Sequence, residues 1–196
     1  MCRLALINAA GAEELQARYG LRKYFDFLEK RLGGSGNGYA LIENGKVKIL
    51  EKGVDLKNDT IAKKILNSKY DWLIYHTRLA SCGTVSDRNC HPFRRGDDVL
   101  AANGTEIEMA RTAREYGLNV TDTELVLRYG LTERDFYDDL RIWSSVLVGL
   151  HKGKVYAVRN HGRLERMETE NGNAVIIGSE FPPLLPSRSI NQYFGN

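Results

Sequence analysis

The dipeptide Asn44-Gly45 constrains the fold of this chain more than any other short feature. It separates two runs of alternating apolar residues, 39–42 and 47–50, and both of its residues readily adopt the positive φ angles of a two-residue hairpin turn. The sequence therefore predicts an antiparallel hairpin over residues 39–50. Turns at Lys152-Gly153 and Asn171-Gly172 predict further antiparallel strands at 146–151, 155–159, 163–168 and 174–177.

Helical periodicity fills most of the chain between the predicted strands. The predicted helices are 12–32 with an interruption at Gly20, 59–66, and three segments that follow Thr105, Thr121 and Thr132. The first two of these threonines precede a glutamate by three residues, which is the pattern of a capping box. Further strands are predicted at 3–8, 72–75 and 99–101. Helices and antiparallel hairpins in separate blocks indicate an α+β fold with layered sheets.

Composition narrows the classes of function. The chain has 196 residues and lacks a Pro/Gly/Ser-rich linker, so we expect a single domain over 1–196. The net charge of +3 is small and its charges are interspersed, which argues against nucleic-acid binding. No apolar run approaches the roughly 20 residues of a membrane helix, and the opening segment is too short for a signal peptide. A cytoplasmic location without membrane attachment is therefore expected.

Cysteine is scarce in this sequence. The chain has three cysteines, Cys2, Cys82 and Cys90. This number is odd and too small for a disulfide framework, which fits a reducing compartment. Cys2 has a special position, because removal of Met1 would leave it with both a thiol and a free α-amine. An α-amine has a pKa near ~7.7–8.0 and can accept the thiol proton at neutral pH. Cys2 would then combine a nucleophile and its general base in one residue.

Three further segments offer groups suited to an amide substrate. Arg78 follows a buried strand at the start of a long polar loop, 77–98, and its planar guanidinium fits a carboxylate. Asn103-Gly104 offers a side-chain amide and an accessible backbone N–H, two donors of the kind that stabilise an oxyanion. Asp122 could pair with a substrate ammonium. A purely structural role remains open for each of these groups. Arg78 could brace its loop, Asn103-Gly104 could form an ordinary turn, and Asp122 could favour a helix N-terminus.

The order of these features resembles that of a class II glutamine amidotransferase domain, a branch of the N-terminal-nucleophile hydrolases. The resemblance covers residues 2 to about 180, essentially the whole chain. Its motifs are Cys2-Arg3-Leu4, Gly36-Asn37-Gly38-Tyr39-Ala40, His76-Thr77-Arg78 with Ala80 and Gly83, His91-Pro92-Phe93, Asn103-Gly104, Asp122-Thr123-Glu124 and Ile177-Gly178-Ser179-Glu180.

The resemblance implies a four-layer αββα sandwich, in which two antiparallel sheets lie between layers of helices. It also implies that Cys2 attacks the side-chain amide of glutamine and forms a glutamyl thioester, with release of ammonia and then glutamate. Asn103 and Gly104 would form the oxyanion hole. The substrate-binding residues implied by the resemblance are Arg78 for the α-carboxylate, Asp122 for the α-ammonium, and Ser81 and His91 along the pocket. No metal or cofactor is implied.

The sequence departs from the family pattern beside the expected site. Ala102 replaces a histidine that commonly precedes the asparagine-glycine pair, and Leu79 replaces an aromatic lid residue found in some members. Family members usually continue into a domain that consumes the ammonia, whereas this sequence ends at Asn196. A separate acceptor synthase subunit is therefore a possible partner, and a free-standing glutaminase is the other reading.

Three alternative functions remain at this point. The chain could be an N-terminal-nucleophile amidase of another substrate, or a catalytically silent regulatory subunit. It could also be a metal-binding or redox module that uses His76, Cys82, Cys90 and His91, although the cysteine spacing is not that of a close-paired zinc knuckle.

Overall fold

The computed structural model describes residues 2–195, which form twelve strands and six α-helices. The strands are β1 (Arg3–Asn8), β2 (Asn37–Glu43), β3 (Lys46–Gly53), β4 (Trp72–Thr77), β5 (Phe93–Arg95), β6 (Asp98–Asn103), β7 (Val146–His151), β8 (Lys154–Arg159), β9 (Glu165–Met167), β10 (Ile176–Gly178), β11 (Ser187–Ser189) and β12 (Gln192–Gly195). The helices are α1 (Ala9–Arg18), α2 (Leu21–Leu32), α3 (Asn58–Leu66), α4 (Ile107–Glu115), α5 (Asp122–Leu125) and α6 (Phe136–Ile142). A 3₁₀ turn (Asp87–Asn89) and a π-helical segment (Val126–Gly130) complete the ordered elements.

The strands form two sheets in which neighbouring strands are antiparallel. The first sheet has the order β11-β9-β10-β1-β4-β2-β3, and the second has the order β12-β8-β7-β6-β5. Strand β1 lies between β10 and β4, so the start of the chain is held on both sides by backbone hydrogen bonds. This position fixes Cys2, which precedes β1, close to the middle of the first sheet.

Alternation along β1 shows how the layers are built. Leu4 and Leu6 pack between the two sheets with residues such as Val148 of β7. Ala5 and Ile7 point to the opposite face and pack against α1, α2 and α3. Because successive side chains of a strand point to opposite faces, a strand that is apolar throughout must be covered on both sides.

The outer face of the second sheet has its own apolar layer. Leu100 and Leu147 of this sheet pack there against Val126 and Leu127 of the π-helical segment and against Phe136 of α6. The molecule therefore consists of helices, sheet, sheet and helices. The predicted α+β fold with an αββα arrangement is confirmed.

Most of the local predictions are confirmed. The Asn44-Gly45 turn joins β2 to β3, with φ angles of 52° and 70°. Helices α1 and α2 are separated at Gly20, whose φ is 98°. The Thr121 hydroxyl caps α5 by accepting a hydrogen bond from the backbone N–H of Glu124 at 3.1 Å. None of the helices between residues 2 and 195 has the length and apolar character to cross a membrane.

The predicted capping box at Thr105 is wrong. Helix α4 is preceded by Glu106 as N-cap residue, without a side-chain cap. The Thr105 hydroxyl instead lies 2.9 Å from the hydroxyl of Ser81, in another loop. The predicted loop 77–98 contains the 3₁₀ turn and β5, and the short strands β11 and β12 were not predicted.

Candidate active site

Cys2 is buried, with 5% of its surface exposed, and each of its polar groups has a partner. Its backbone nitrogen, which becomes the α-amine if Met1 is removed, donates to Asn103 Oδ1 at 2.9 Å. Its Sγ accepts a hydrogen bond from the Leu79 N–H at 3.3 Å, and its carbonyl accepts one from Arg3 Nη1 at 3.0 Å. The predicted removal of Met1 concerns a residue outside the described range. The position of Cys2 is thus fixed by groups from three parts of the chain.

Asn103 ends β6 and faces Cys2 across the two sheets. Since Oδ1 accepts from the Cys2 nitrogen, the Nδ2 group of Asn103 is left as a donor. It makes one long hydrogen bond of 3.4 Å to Ser179 Oγ. The second N–H of this amide has no described protein partner, which is what an oxyanion donor requires.

Gly104 follows Asn103 with a φ of 155°, in a region that L side chains rarely adopt. A Cβ atom built at this position would lie 2.3 Å from Ser145 Oγ. Glycine is therefore required here both by the backbone angle and by the close approach of Ser145.

Ser179 is a site residue to which sequence reasoning gave no role. Its hydroxyl accepts hydrogen bonds from the Leu4 N–H at 3.0 Å and from Asn103 Nδ2. Its backbone N–H also donates to the Leu4 carbonyl at 3.0 Å. Ser179 therefore connects the start of β1 to the amide of Asn103. The sequence signal for Ser179 was its place in the motif 177–180, which contributed to the family resemblance but indicated no function for this residue.

Arg78 lies at the end of β4 and is 2% exposed. Its guanidinium donates to the backbone carbonyls of Thr84 at 2.9 Å, Cys82 at 2.7 Å and Gly83 at 3.3 Å. The loop-bracing role that sequence analysis left open is thus present. Three hydrogen bonds use at most three of the five guanidinium N–H groups, so at least two remain for another acceptor.

Asp122 occupies the first turn of α5 and is also buried. Its Oδ2 accepts a hydrogen bond from the Glu106 N–H at 2.7 Å, which ties α5 to the loop that contains Gly104. Burial raises the pKa of this carboxyl above its ordinary value. Burial also raises the pKa of the Cys2 thiol, the Arg78 charge lowers it and the Asp122 charge raises it. Burial is the largest influence on the pKa of this thiol, and the two charges act on it in opposite directions.

Ser81 and His91, the other two residues predicted to line the pocket, have different surroundings. Ser81 is exposed, and its contact with the Thr105 hydroxyl joins the loop after β4 to the loop after β6. His91 is buried beside His76, with His91 Nδ1 2.8 Å from His76 Nε2. His76 Nε2 also lies 3.0 Å from the Ala102 carbonyl. Burial lowers the pKa of His76 to about 3 and that of His91 well below its ordinary value, so both rings are neutral at pH 7.

The cysteines and histidines of the predicted metal-binding module do not come together as proposed. Among the described residues, the only group of three or more with metal-ligand spacing is Cys2, His76 and His91. Cys82 and Cys90 are free thiols outside it. The nearest acceptor of the Cys82 thiol is the carbonyl of residue 120, at 3.6 Å.

A cavity of about 640 Å³ opens beside Asn103 and Gly104. Its walls include three arginines, each within 4 Å of the Glu180 carboxylate, and Arg163 also lies 3.7 Å from the Glu165 carboxylate. The guanidinium-to-carboxylate distances are 3.2 Å for Arg3, 2.8 Å for Arg31 and 3.6 Å for Arg163. The three guanidinium groups outnumber the two carboxylates, so this wall has a net positive charge, which favours anionic groups near Asn103 and Gly104.

Solved structures share this fold. One is described as the allosteric regulatory enzyme of purine biosynthesis, with a TM-score of 0.61 and 17% identity. Another is the glutamine phosphoribosylpyrophosphate amidotransferase from B. subtilis in complex with ADP and GMP, with a TM-score of 0.58 and 14% identity. Each match covers 91% of this chain and 42% of the other chain, so this chain spans less than half the length of either. No protein-family model and no curated protein matches the sequence.

Proposed function

We propose that this chain is a glutamine amidotransferase or glutaminase that uses Cys2, exposed by removal of Met1, as an N-terminal nucleophile. The observation that carries the proposal is the 2.9 Å hydrogen bond from the Cys2 nitrogen to Asn103 Oδ1. This contact joins a nucleophile, its own nitrogen and an amide donor that are 101 residues apart in the sequence. The fold shared with an enzyme described as a glutamine amidotransferase supports the same reading.

The first half-reaction begins with transfer of the Cys2 thiol proton to its α-amine, directly or through water. The thiolate attacks the carbonyl carbon of the glutamine side-chain amide, and the C=O electrons move onto oxygen. Asn103 Nδ2 and the Gly104 N–H stabilise this oxyanion. When the C–N bond breaks, the protonated α-amine returns its proton to the leaving nitrogen, and ammonia departs from a glutamyl thioester. Because burial raises the pKa of the Cys2 thiol, such a base is needed near pH 7.

In the second half-reaction, water attacks the thioester carbon while the α-amine accepts a proton from it. The same two donors stabilise the second oxyanion. Collapse of this intermediate breaks the C–S bond, and the thiolate regains a proton. Glutamate is released, and the enzyme returns to its starting state. One water is consumed for each ammonia formed.

Recognition of glutamine is assigned to the charged groups near Cys2. The free N–H groups of Arg78 would bind the α-carboxylate, and Asp122 would bind the α-ammonium. Ser81 and His91 would border the pocket. Two contacts support this assignment: Thr77, which precedes Arg78, pairs with Arg3, which follows Cys2, and the Asp122 carboxylate accepts from the Glu106 N–H close to Gly104. The ammonia would pass to a separate acceptor synthase subunit or leave the enzyme free.

Mass spectrometry of the intact protein, before and after reaction with an electrophilic glutamine analogue, tests the proposal. We expect a mass that lacks Met1 and a single adduct that maps to Cys2. Cys2→Ser should lose both the adduct and glutaminase turnover, whereas the matched Cys82→Ser variant should keep both. Active protein that retains Met1, or full turnover by Cys2→Ser, would refute the assignment.

One observation favours a rival, an N-terminal-nucleophile amidase of another substrate. The Arg78 guanidinium is buried and already donates to three backbone carbonyls, so bracing the loop could be its whole function. Activity of Arg78→Ala on amides with and without an α-carboxylate separates the two readings. Loss only on glutamine indicates carboxylate binding. Equal loss on both substrates supports the bracing role and hence the rival.

A further inference from the structure

We infer that the cavity beside Asn103 and Gly104 binds a small, polar organic phosphate, and that Arg3, Arg31 and Arg163 hold its phosphate group. All five residues line this cavity, which has a volume of about 640 Å³. Binding at this site does not require the proposed glutaminase activity and can be measured without it.

The cavity is separate from the groups assigned to glutamine. The described residues that line it do not include Cys2, Arg78 or Asp122. Asn103 is shared between the two places, because it borders the cavity and also accepts from the Cys2 nitrogen. A ligand in the cavity would therefore lie next to the candidate active site and leave the charged groups proposed for glutamine free.

The arginine wall has more hydrogen-bond donors than acceptors. Each guanidinium has five N–H groups and no acceptor. Arg3 donates to the Cys2 carbonyl and to Glu180 Oε2, and Arg31 donates to Glu180 Oε1. These are the only hydrogen bonds that the three guanidinium groups make to described residues, and Arg3 Nε is buried without a partner among them. Most donors of this wall can therefore serve a ligand with several acceptor oxygens.

Glu180 orients two of the arginines. Its Oε2 accepts from Arg3 at 3.2 Å and its Oε1 accepts from Arg31 at 2.8 Å, while its side chain is only 10% exposed. Arg163 lies 3.6 Å from this carboxylate and 3.7 Å from that of Glu165, without a hydrogen bond to either. The three positive charges exceed the two negative charges, so the oriented wall still attracts an anion.

A phosphate monoester fits this wall better than a carboxylate does. The three arginines come from separate parts of the chain, namely the start of β1, the last turn of α2 and the loop before β9. Arginine binds phosphate oxygens through pairs of parallel N–H groups. The three terminal oxygens of a phosphate monoester can accept from three such groups, whereas a carboxylate has only two oxygens.

The size of the cavity and the rest of its wall indicate a ligand larger than a phosphate ion. Pockets for small organic ligands have volumes of about 300–1,000 Å³, and this cavity lies within that range. Beyond the arginines its lining includes Asn103, Gly104, Thr105 and Ser144, which are small and polar. Such a lining suits an organic group that bears hydroxyls rather than an apolar one.

Isothermal titration calorimetry of the full chain with glycerol 3-phosphate, at low ionic strength, tests the site. We expect saturable binding of one ligand per chain, at least about 10-fold tighter than that of inorganic phosphate, and no binding of glycerol. Arg31→Gln and Arg163→Gln should each weaken binding by about 10-fold, because each removes charge-assisted hydrogen bonds.

Arg22→Gln is the matched control. Arg22 lies on the same helix as Arg31 and is similarly exposed, 61% against 56%, but it does not line the cavity. This variant should bind as the wild type does. Absence of binding, or wild-type affinity in both Arg31→Gln and Arg163→Gln, would overturn the inference. Equal affinity for inorganic phosphate would assign the cavity to free phosphate and overturn the organic ligand.

A second measurement needs no variant and so does not depend on how variants fold. Phenylglyoxal modifies guanidinium groups, and mass spectrometry maps the modified residues. Glycerol 3-phosphate should slow modification of Arg31 and Arg163 and leave that of Arg22 unchanged. Equal rates at Arg31 and Arg163 with and without the ligand would refute the site. A protein that shows this protection but no glutaminase activity would refute the proposed function and leave the phosphate site intact.

Discussion

Acidification should destabilise this protein through its two buried, neutral histidines. Burial lowers the pKa of His76 from 6.5 to about 3 and that of His91 well below its ordinary value. In the unfolded chain both rings are exposed and titrate near their ordinary pKa. Between pH 6.5 and about 3 the unfolded state therefore binds more protons than the folded state. Titration of these two rings therefore leaves the free energy of unfolding unchanged above pH 6.5 and lowers it as the pH falls.

The magnitude follows from the shift of His76. At pH 5 its unfolded form is mostly protonated and its folded form is not, over a gap of about 1.5 pH units. At about 1.36 kcal/mol per unit, the free energy of unfolding falls by about 2 kcal/mol relative to neutral pH. His91 acts in the same direction. Asp122 opposes both, because its raised pKa favours the folded state as the pH falls.

Urea denaturation at pH 7 and pH 5 measures this effect as the change in unfolding free energy between the two values. The His76→Asn variant should lose about 2 kcal/mol of the pH dependence, although its stability at pH 7 is also lower. The exposed His161 provides the matched control, and His161→Asn should keep the wild-type dependence. Comparison of variants cancels the Asp122 contribution. An unchanged pH dependence in His76→Asn would refute the reasoning.

Three substitutions and one control test the proposed oxyanion donors and the core. Asn103→Ala removes one donor and should lower kcat about 10²–10³-fold with the fold retained, as judged by steady-state kinetics and circular dichroism. Gly104→Ala should cost about 1–3 kcal/mol in urea denaturation, because it combines the 155° φ with a Cβ 2.3 Å from Ser145 Oγ. Leu6→Ala, between the sheets, should cost about 2–5 kcal/mol, whereas the exposed Leu184→Ala should cost almost nothing. An Asn103→Ala enzyme with wild-type kcat, or equal costs at the two leucines, would contradict these expectations.

Features fixed by neighbouring residues were predictable from the sequence. The Asn44-Gly45 turn requires two positive φ angles, and only a few residue types adopt them at low cost. The break at Gly20 and the cap at Thr121 also depend on a few adjacent positions. The continuous apolar run 72–75 then indicated a buried strand. The fold class could therefore be predicted.

Features that depend on distant partners were missed. The sequence around Thr105 suits a helix cap. The Thr105 hydroxyl is instead hydrogen-bonded to the Ser81 hydroxyl, and the Glu106 N–H donates to the Asp122 carboxylate. Strand β12 has alternating exposure and forms an edge of the second sheet, beside β8. Its four residues, two of them aromatic, are too few to indicate a strand by themselves. Pairing with a strand more than 30 positions earlier defines it.

In the candidate site, the sequence predicted the chemical types of the residues but not their relative positions. Residue types alone suggested a nucleophile, an amide donor and two charged groups. The relation between them depends on contacts across long sequence separations, 101 residues for Cys2 with Asn103 and 77 residues for Cys2 with Leu79. The first of these contacts joins the two sheets, which pack on the layer that contains Leu4, and the second lies beside the pairing of β1 with β4 in the first sheet. Ser179 adds a direct link, because one hydroxyl accepts from both the Leu4 N–H and Asn103 Nδ2. Under the proposed function, the core as a whole positions Cys2, so changes in the layer between the sheets should alter catalysis even where they touch no substrate.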